Sequence, residues 1–116
     1  MRRRQFIDNN FTIPYEEIIV GIPDFQKILA KSGVYKIYNE KQELMYVGQS
    51  RNLRRRIQEH FHGKRKGYFI HQVGVFYIEN KDNFMEGVLL ETYETELIRN
   101  LRPRFNKQSK APTRFI

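Results

Sequence analysis

The hydrophobic and polar positions of the chain predict three strands and two helices between residues 32 and 107. The segments "GVYKIYN" and "ELMYVG" are rich in β-branched and aromatic residues, and the polar stretch "EKQ" separates them, which is typical of an antiparallel hairpin. The segment "QVGVFYIEN" is apolar on both faces and predicts a third strand that is covered on both sides. We therefore expect a small α/β fold of the α+β type with a three-stranded, mostly antiparallel sheet.

Helical spacing appears in two places and completes the order β-β-α-β-α. In "SRNLRRRIQEHF", apolar side chains recur every four residues at Leu53, Ile57 and Phe61, with Ser50 as the predicted N-cap. A longer helix is predicted from Asn83 to about Leu101, because Pro103 stops it.

The segments outside this unit are predicted as extensions. Residues 1–31 are expected to form a loose basic arm, a proline-bracketed segment "IPYEEIIVGIP" that is either extended or a short helical turn, and a short helix in "DFQKILAKSG". Residues 32–107 form the folded unit, and residues 108–116 form a basic tail. The length suits one compact domain with an ordinary core.

Charge and cysteine content narrow the class of partner. The formal net charge is +8, from 21 Lys and Arg against 13 Asp and Glu, and the cations cluster in "RNLRRR", "GKRKG" and "RNLRPRFNKQSK" beside many aromatic residues. Such clusters favour nucleic acid, because cations meet phosphates and rings stack on bases. The chain has no cysteine, which excludes disulfides, thiolate zinc sites and a cysteine nucleophile. It has no apolar run of about 20 residues and no secretory h-region, so we expect a cytoplasmic protein without a membrane partner.

One carboxylate breaks the pattern of the long helix. At ~100° per residue, Glu96 falls on the polar side, but Glu94 lies at the centre of the apolar stripe. The stripe is formed by Leu90, Leu97, Ile98 and Leu101. A carboxylate among leucines is costly unless it is paired or binds a metal.

Four other polar residues are candidates for the same site, although none of them indicates a function on its own. Tyr35 and Tyr46 lie on the two strands of the hairpin, where tyrosines commonly serve packing. Arg56 and His60, four residues apart, stack on one face of the first helix beside its apolar stripe. A guanidinium in that position can hold a phosphate bidentately.

Taken together, these residues give the chain a resemblance to the GIY-YIG nuclease family. The frame "GVY", ten residues, "YVG", then Arg56, His60, Glu94 and "RPRFN" matches the family in order and interval from Ser32 to Lys107. The ending "ETELIRNLRPRFN" is most similar to the GIY-YIG domain of the bacterial excision-repair incision nuclease. The resemblance implies a metal-dependent endonuclease that hydrolyses DNA phosphodiester bonds.

The resemblance also implies a role for each residue. Tyr35 and Tyr46 would flank the attacking water, with Tyr35 favoured as the general base, and Arg56 would bind the scissile phosphate. Glu94 would be the carboxylate ligand of one divalent cation, Mg²⁺ or Mn²⁺, while His60 would lie near the phosphate and Asn106 would brace the site. An ordinary tyrosine has a pKa of about 10, so nearby cations or the metal must assist the base. Further contacts to DNA are expected from surface cations, namely Arg51, Arg54, Arg55, Lys64, Arg65, Lys66, Arg102 and Arg104.

The pattern leaves two other functions open. The excision-repair relatives carry a lysine where this chain has Gln49, and Arg51 is the nearest cation that could replace it. Without that lysine, the chain could be a non-catalytic nucleic-acid-binding module that keeps the nuclease fold. A sheet-based RNA binder that stacks bases on its tyrosines would leave Glu94 without a purpose. The form of the DNA, single-stranded, branched or duplex, the process it serves and the oligomeric state stay open.

Overall fold

A computed structural model describes residues 2–7, 12–22, 24–64 and 70–106. These residues form one five-stranded sheet with the strand order β1-β2-β5-β3-β4, in which every pair of neighbours is antiparallel. The strands are β1 (Arg2–Ile7), β2 (Thr12–Gly21), β3 (Gly33–Tyr38), β4 (Leu44–Ser50) and β5 (Gln72–Tyr77). The helices are α1 (Leu53–Glu59) and α2 (Asn83–Leu101), with a 3₁₀ turn at Asp24–Lys27 and a π turn at His60–Lys64.

The predicted α+β class, the β3–β4 hairpin, the strand β5 and both helices are confirmed. The prediction of a three-stranded sheet is wrong, because residues 2–7 and 12–21 contribute two further strands. Along β2 the buried side chains alternate, with Ile13, Glu17 and Ile19 on one face and Ile18 and Val20 on the other. The charge of Glu17 interrupts the apolar pattern of this strand. Its compensating partner is distant in sequence, so the pattern did not predict a central strand.

Three local predictions also change. The short helix expected in "DFQKILAKSG" is only the 3₁₀ turn at Asp24–Lys27. Asn52, not Ser50, caps α1, since its side-chain oxygen accepts a hydrogen bond of 3.0 Å from the N–H of Arg55. The loose arm predicted at the start of the chain is replaced by β1 over residues 2–7. The tail at 108–116 lies outside the described residues.

The sheet separates two hydrophobic layers. On one face, α1 packs its Leu53 and Ile57 against side chains from β2, β3 and β5, in a layer that also buries Tyr35 and Tyr46. On the other face, α2 packs Leu90, Leu97 and Ile98 against the sheet. No helix in the described ranges is long and apolar enough to cross a membrane.

A buried ion pair ties the N-terminal extension to the middle of the sheet. Lys36 Nζ on β3 lies 3.0 Å from Glu17 Oε2 on β2, and both side chains are almost fully buried. Gly74 on the intervening strand β5 makes room for the pair, because a Cβ there would lie 2.2 Å from the same Glu17 oxygen. The ammonium also faces the rings of Tyr38 and Phe76. The extension is therefore part of the sheet and not an appended arm.

Candidate active site

The centre of the polar cluster is the hydroxyl of Tyr35. The side chain leaves β3 towards the α1 layer and is completely buried. Its oxygen is 2.7 Å from Nε2 of His60, which is also buried. Buried polar groups need such partners because an unmet hydrogen bond is costly. The contact gives the phenol a neighbour with which it can exchange a proton.

Gly48 of the second triplet makes this position of Tyr35 possible. Tyr35 and Gly48 are direct partners across the β3–β4 pair. A Cβ on residue 48 would lie 2.4 Å from the Tyr35 hydroxyl oxygen and 2.6 Å from the ring carbon that bears it. A side chain at residue 48 would therefore displace the phenol. The glycine of "YVG" is explained by close packing against Tyr35.

Tyr46 and Arg56 complete the same cluster. The rings of Tyr46 and His60 have centroids 5.1 Å apart, and those of Tyr35 and Tyr46 are 6.1 Å apart. Arg56 donates to Glu59 at 3.0 Å and also interacts electrostatically with Tyr35. Partial burial acts to lower the pKa of Arg56, but the interactions with Tyr35, Glu59 and Tyr46 outweigh it and raise the pKa further above its usual value. Arg56 therefore stays a cation at any working pH.

His60 is positioned by the end of α1. Its backbone N–H donates to the carbonyls of Arg56 and Ile57, and the π turn begins at this residue. Departures from regular helix of this kind are frequent at functional sites. The sequence predicts a continuous helix here, so the π turn was not foreseen.

Glu94 approaches the hairpin from α2 and is buried, with 2% of its surface exposed, as its place in the apolar stripe predicted. Gln49 Nε2 on β4 donates to Glu94 Oε1 at 2.9 Å and to Glu91 Oε1 at 3.0 Å. The carboxylates of Glu91 and Glu94 thus both accept from the Gln49 amide. Two neighbouring carboxylates favour a positive charge at this place. Sequence reasoning missed Glu91, although its spacing of three from Glu94 puts it on the same side of the helix.

Asn106 holds the strand that carries Tyr46. Its side-chain oxygen accepts from the N–H of Val47 at 2.7 Å, and its amide nitrogen donates to the carbonyl of Val47 at 2.8 Å. Both ends of the amide are thereby bonded to the residue between Tyr46 and Gly48. This contact fixes the backbone of the second triplet and gives physical content to the predicted bracing role.

The predicted DNA-binding cations differ in how far they are engaged by the protein. Arg51 pairs with Glu86 and donates to the Asn83 side chain at 2.8 Å, which holds it at the start of α2. Arg54 Nε donates to the carbonyl of Ile28 at 2.7 Å, a contact that serves the fold. Exposed positions belong to Arg55, Arg102 and Arg104. Arg65, Lys66 and the side chain of Lys64 lie outside the described residues.

The fit of a divalent cation rests on Glu94. Within the described ranges, no group of three or more His, Cys, Asp or Glu side chains is arranged to hold a metal ion. Mg²⁺ does not need such a cage, because it keeps several waters and binds one or two carboxylates together with phosphate oxygens. A buried Glu94 with Glu91 beside it matches that requirement.

Comparison with a protein-family model and with known proteins gives consistent results. A protein-family model for the GIY-YIG catalytic domain matches residues 31–109. UvrABC system protein C of Agrobacterium fabrum is 34% identical over 92 residues, which are 73% of this chain and 13% of that protein. UvrABC system protein C of Protochlamydia amoebophila is 31% identical over 90 residues, which are 72% of this chain and 14% of that protein. The uncharacterized protein YurQ of Bacillus subtilis is 36% identical over 91 residues, which are 76% of this chain and 71% of YurQ.

Proposed function

Because the chain belongs to the GIY-YIG family of endonucleases, we propose that it hydrolyses DNA phosphodiester bonds with Tyr35 as general base, Arg56 on the scissile phosphate and Glu94 as the ligand of one Mg²⁺ or Mn²⁺ ion. The observation that carries the proposal is the buried Tyr35 hydroxyl, 2.7 Å from Nε2 of His60, with the Arg56 guanidinium interacting electrostatically with the same phenol. A tyrosine that served packing alone would not need an ionisable partner at its oxygen. The likeness to UvrABC system protein C supports DNA as the substrate, although the chain spans only 13–14% of those proteins.

The contact between Tyr35 and His60 supports proton transfer. Hydrolysis requires a base that takes a proton from the attacking water as the bond to phosphorus forms. With Nε2 of His60 as an acceptor, the Tyr35 O–H has a route for its own proton at 2.7 Å. Arg56 stabilises negative charge on the same oxygen. We propose that Tyr46 orients the water and that His60 receives the proton of Tyr35.

The state of Arg56 supports a role on the phosphate. The guanidinium of arginine is a permanent cation, and the Arg56 side chain is 39% exposed, so that it can reach a ligand while its Nη1 donates to Glu59. A preorganised cation stabilises the additional charge of the pentacovalent transition state without reorganising. Its planar donors can engage two phosphate oxygens at once.

The cation would be held by Glu94, with Glu91 nearby, at the edge strand β4. A hard divalent ion there supplies positive charge for the leaving 3′ oxygen. Gln49 positions Glu94 by its hydrogen bond of 2.9 Å. We propose that this glutamine takes over the orienting part of the lysine found in excision-repair relatives, but not its charge.

The test is cleavage of supercoiled plasmid and of labelled single-stranded, branched and duplex oligonucleotides, with Mg²⁺, with Mn²⁺ and with EDTA. We expect nicking that requires the divalent ion and is absent in Glu94→Gln. Binding of all these DNAs without cleavage under any metal condition would overturn the proposal and favour the non-catalytic binding module. The set of substrates also identifies the form of DNA that is cut.

A further inference from the structure

A groove beside α2 is not used by the chemistry proposed above. It lies between the segment after β4 and the first turns of α2 and is an open depression of about 460 Å³. Its lining includes Arg51, Phe84, Gly87, Val88, Glu91 and Thr92. This volume lies within the range of small-molecule sites and easily accommodates a single nucleobase.

The groove has an aromatic wall that folding does not explain. Phe84 is 76% exposed, the highest value among the exposed large hydrophobic residues of the described chain. Val88, one turn further along α2, is also exposed. Phe84 and Val88 together leave a contiguous apolar surface at the mouth of the groove, and such surface marks interaction sites. Its ring is available to stack on a planar ligand.

A positioned guanidinium also lines the groove. Glu86 and Asn83 hold Arg51 in place, while its side chain remains 47% exposed. Nucleobases that are splayed out of a strand stack on aromatic rings and on arginine planes. Phe84 and Arg51 supply one of each.

Gly87 provides an independent observation. Glycine is among the least favourable residues in a helix interior, yet it occupies the second turn of α2. A Cβ at this position would lie 3.1 Å from Nη2 of Arg51. A larger residue would crowd the guanidinium and fill the floor of the groove. The glycine therefore keeps the groove open at a cost to the helix.

The groove also adjoins the proposed metal ligand. Glu91 lines the groove and accepts a hydrogen bond from the same Gln49 amide that donates to Glu94. A strand whose phosphate lies at Glu94 therefore has its neighbouring nucleotide within reach of the groove. The net charge of +8 favours such a polyanion over an apolar protein segment.

We infer that this groove binds one unpaired nucleobase of the DNA strand next to the scissile phosphate, by stacking on Phe84 with Arg51 lining the same groove. The inference rests on the proposed function and adds to it a preference for substrates with a single-stranded or flipped nucleotide near the cut. Duplex DNA without such a nucleotide leaves the groove empty.

The test measures the affinity of the full chain for a short fluorescein-labelled single strand, by anisotropy in EDTA so that no cleavage occurs. Phe84→Ala should weaken binding at least about five-fold, the smaller end of the loss when a base–aromatic stack is removed, and Phe84→Tyr should restore it. Met85→Ala is the matched control, since Met85 is exposed on the same helical turn but does not line the groove. Its affinity should stay within about two-fold of the unmodified chain.

Two further measurements separate stacking from general destabilisation. Gly87→Leu should fill the groove and weaken binding while the melting temperature is retained, because the gain in helix propensity offsets the crowding of Arg51. In a strand with one abasic residue scanned along its length, one position should abolish the effect of Phe84→Ala. Unchanged affinity in both Phe84→Ala and Gly87→Leu would overturn the inference and point to a protein ligand for this face. If the unmodified chain cleaves DNA and both variants bind with unchanged affinity, the groove alone is rejected. If binding depends on Phe84 but no cleavage occurs, the nuclease proposal alone is rejected.

Discussion

Two buried carboxylates on the same side of the sheet have different surroundings. Glu17 lies among the central strands, where the ammonium of Lys36 is 3.0 Å away and aromatic rings enclose the pair. Glu94 lies against the edge strand β4 and receives a neutral amide from Gln49. A fixed ammonium neutralises a buried carboxylate, whereas an amide orients it and leaves its charge unchanged. The central pair suits a structural role and the edge carboxylate suits ligand binding.

The largest effect that we expect from this contrast is in Glu94→Gln. The change removes the proposed metal ligand without changing side-chain volume, so cleavage should fall by about a thousand-fold or more. The free energy of unfolding should change by no more than about 1 kcal/mol, because a neutral amide replaces a buried charge. Nicking rates with Mg²⁺ and urea unfolding of the same preparation measure the two quantities.

Glu96→Gln is the matched control for this variant. Glu96 lies two residues away on α2, partly exposed, and pairs with Arg99. It should cut normally. Cleavage by Glu94→Gln above a few per cent of normal would show that another carboxylate, with Glu91 the first candidate, carries the role.

For Glu17, the carboxylate with a structural role, we expect the opposite result: Lys36→Met should lower stability and leave cleavage normal. Removing the ammonium leaves Glu17 charged in the interior, which should cost about 3–5 kcal/mol of stability. The double variant Lys36→Met with Glu17→Leu should recover much of this loss, since an apolar pair can replace a buried ion pair. Urea unfolding measures both variants, and cleavage per folded molecule should stay normal. If the double variant is no more stable than Lys36→Met, charge compensation alone does not explain how the pair stabilises the fold.

The arginines of α1 also include a residue with a structural contact and a residue with a proposed catalytic role. Arg56→Ala tests the proposed catalytic arginine. It should reduce turnover by about a hundred-fold, as expected for loss of a preorganised charge at the transition state. Arg55→Ala is a better control than Arg54→Ala, because Arg54 also bonds the carbonyl of Ile28 and its loss affects the fold. Equal losses of turnover in Arg55→Ala and Arg56→Ala would show that α1 acts as a general basic surface and that Arg56 has no specific role.

On the other face of the sheet, variants of Tyr35 and Tyr46 test which phenol is the general base. Tyr35→Phe should lose about a hundred-fold in rate at every pH, the lower end for a lost general base, and about 1 kcal/mol of stability with its bond to His60. Tyr46→Phe should keep partial activity and a rate that still rises with pH. A pH–rate profile of each variant measures this. The reverse order would assign the base to Tyr46, and near-normal rates in both would make the tyrosines walls of the site.

The smallest effect concerns a third carboxylate, Glu86. The backbone N–H of Asn80 and the hydroxyl of Ser32, followed by Arg51, hold its pKa below the usual 4.5. A lowered folded-state pKa adds stability that is fully present above pH 4.5 and is lost as the pH falls through the folded value. The melting temperature of Glu86→Gln should therefore be lower than normal at neutral pH. The difference in melting temperature should shrink at a pH well below 4.5. A difference that does not depend on pH would show that the charge of Glu86 is not the cause.

The sequence predicted those parts of the molecule in which one element carries its own signal. The bounds of α2, the burial of Glu94 and the hairpin with Tyr35 follow from local period and spacing. The strands β1 and β2 were missed because the charge of Glu17 is compensated by Lys36, on a strand that β5 separates from β2. The bridge from Gln49 to Glu91 and Glu94 was missed for the same reason. Such contacts depend on how distant elements are brought together, and a single sequence does not contain that information.

The segment after α2 has a consequence for solubility. Arg102 adopts a left-handed conformation, with φ of 51°, and the chain returns along the outer side of β4. There the N–H groups of Arg104 and Phe105 donate to the carbonyls of Leu44 and Met45, and Asn106 bonds Val47. An edge strand with free backbone groups invites pairing with another chain and the growth of aggregates. The residues that brace the proposed catalytic hairpin thereby also cap its open edge, so their loss should promote aggregation as well as loss of activity.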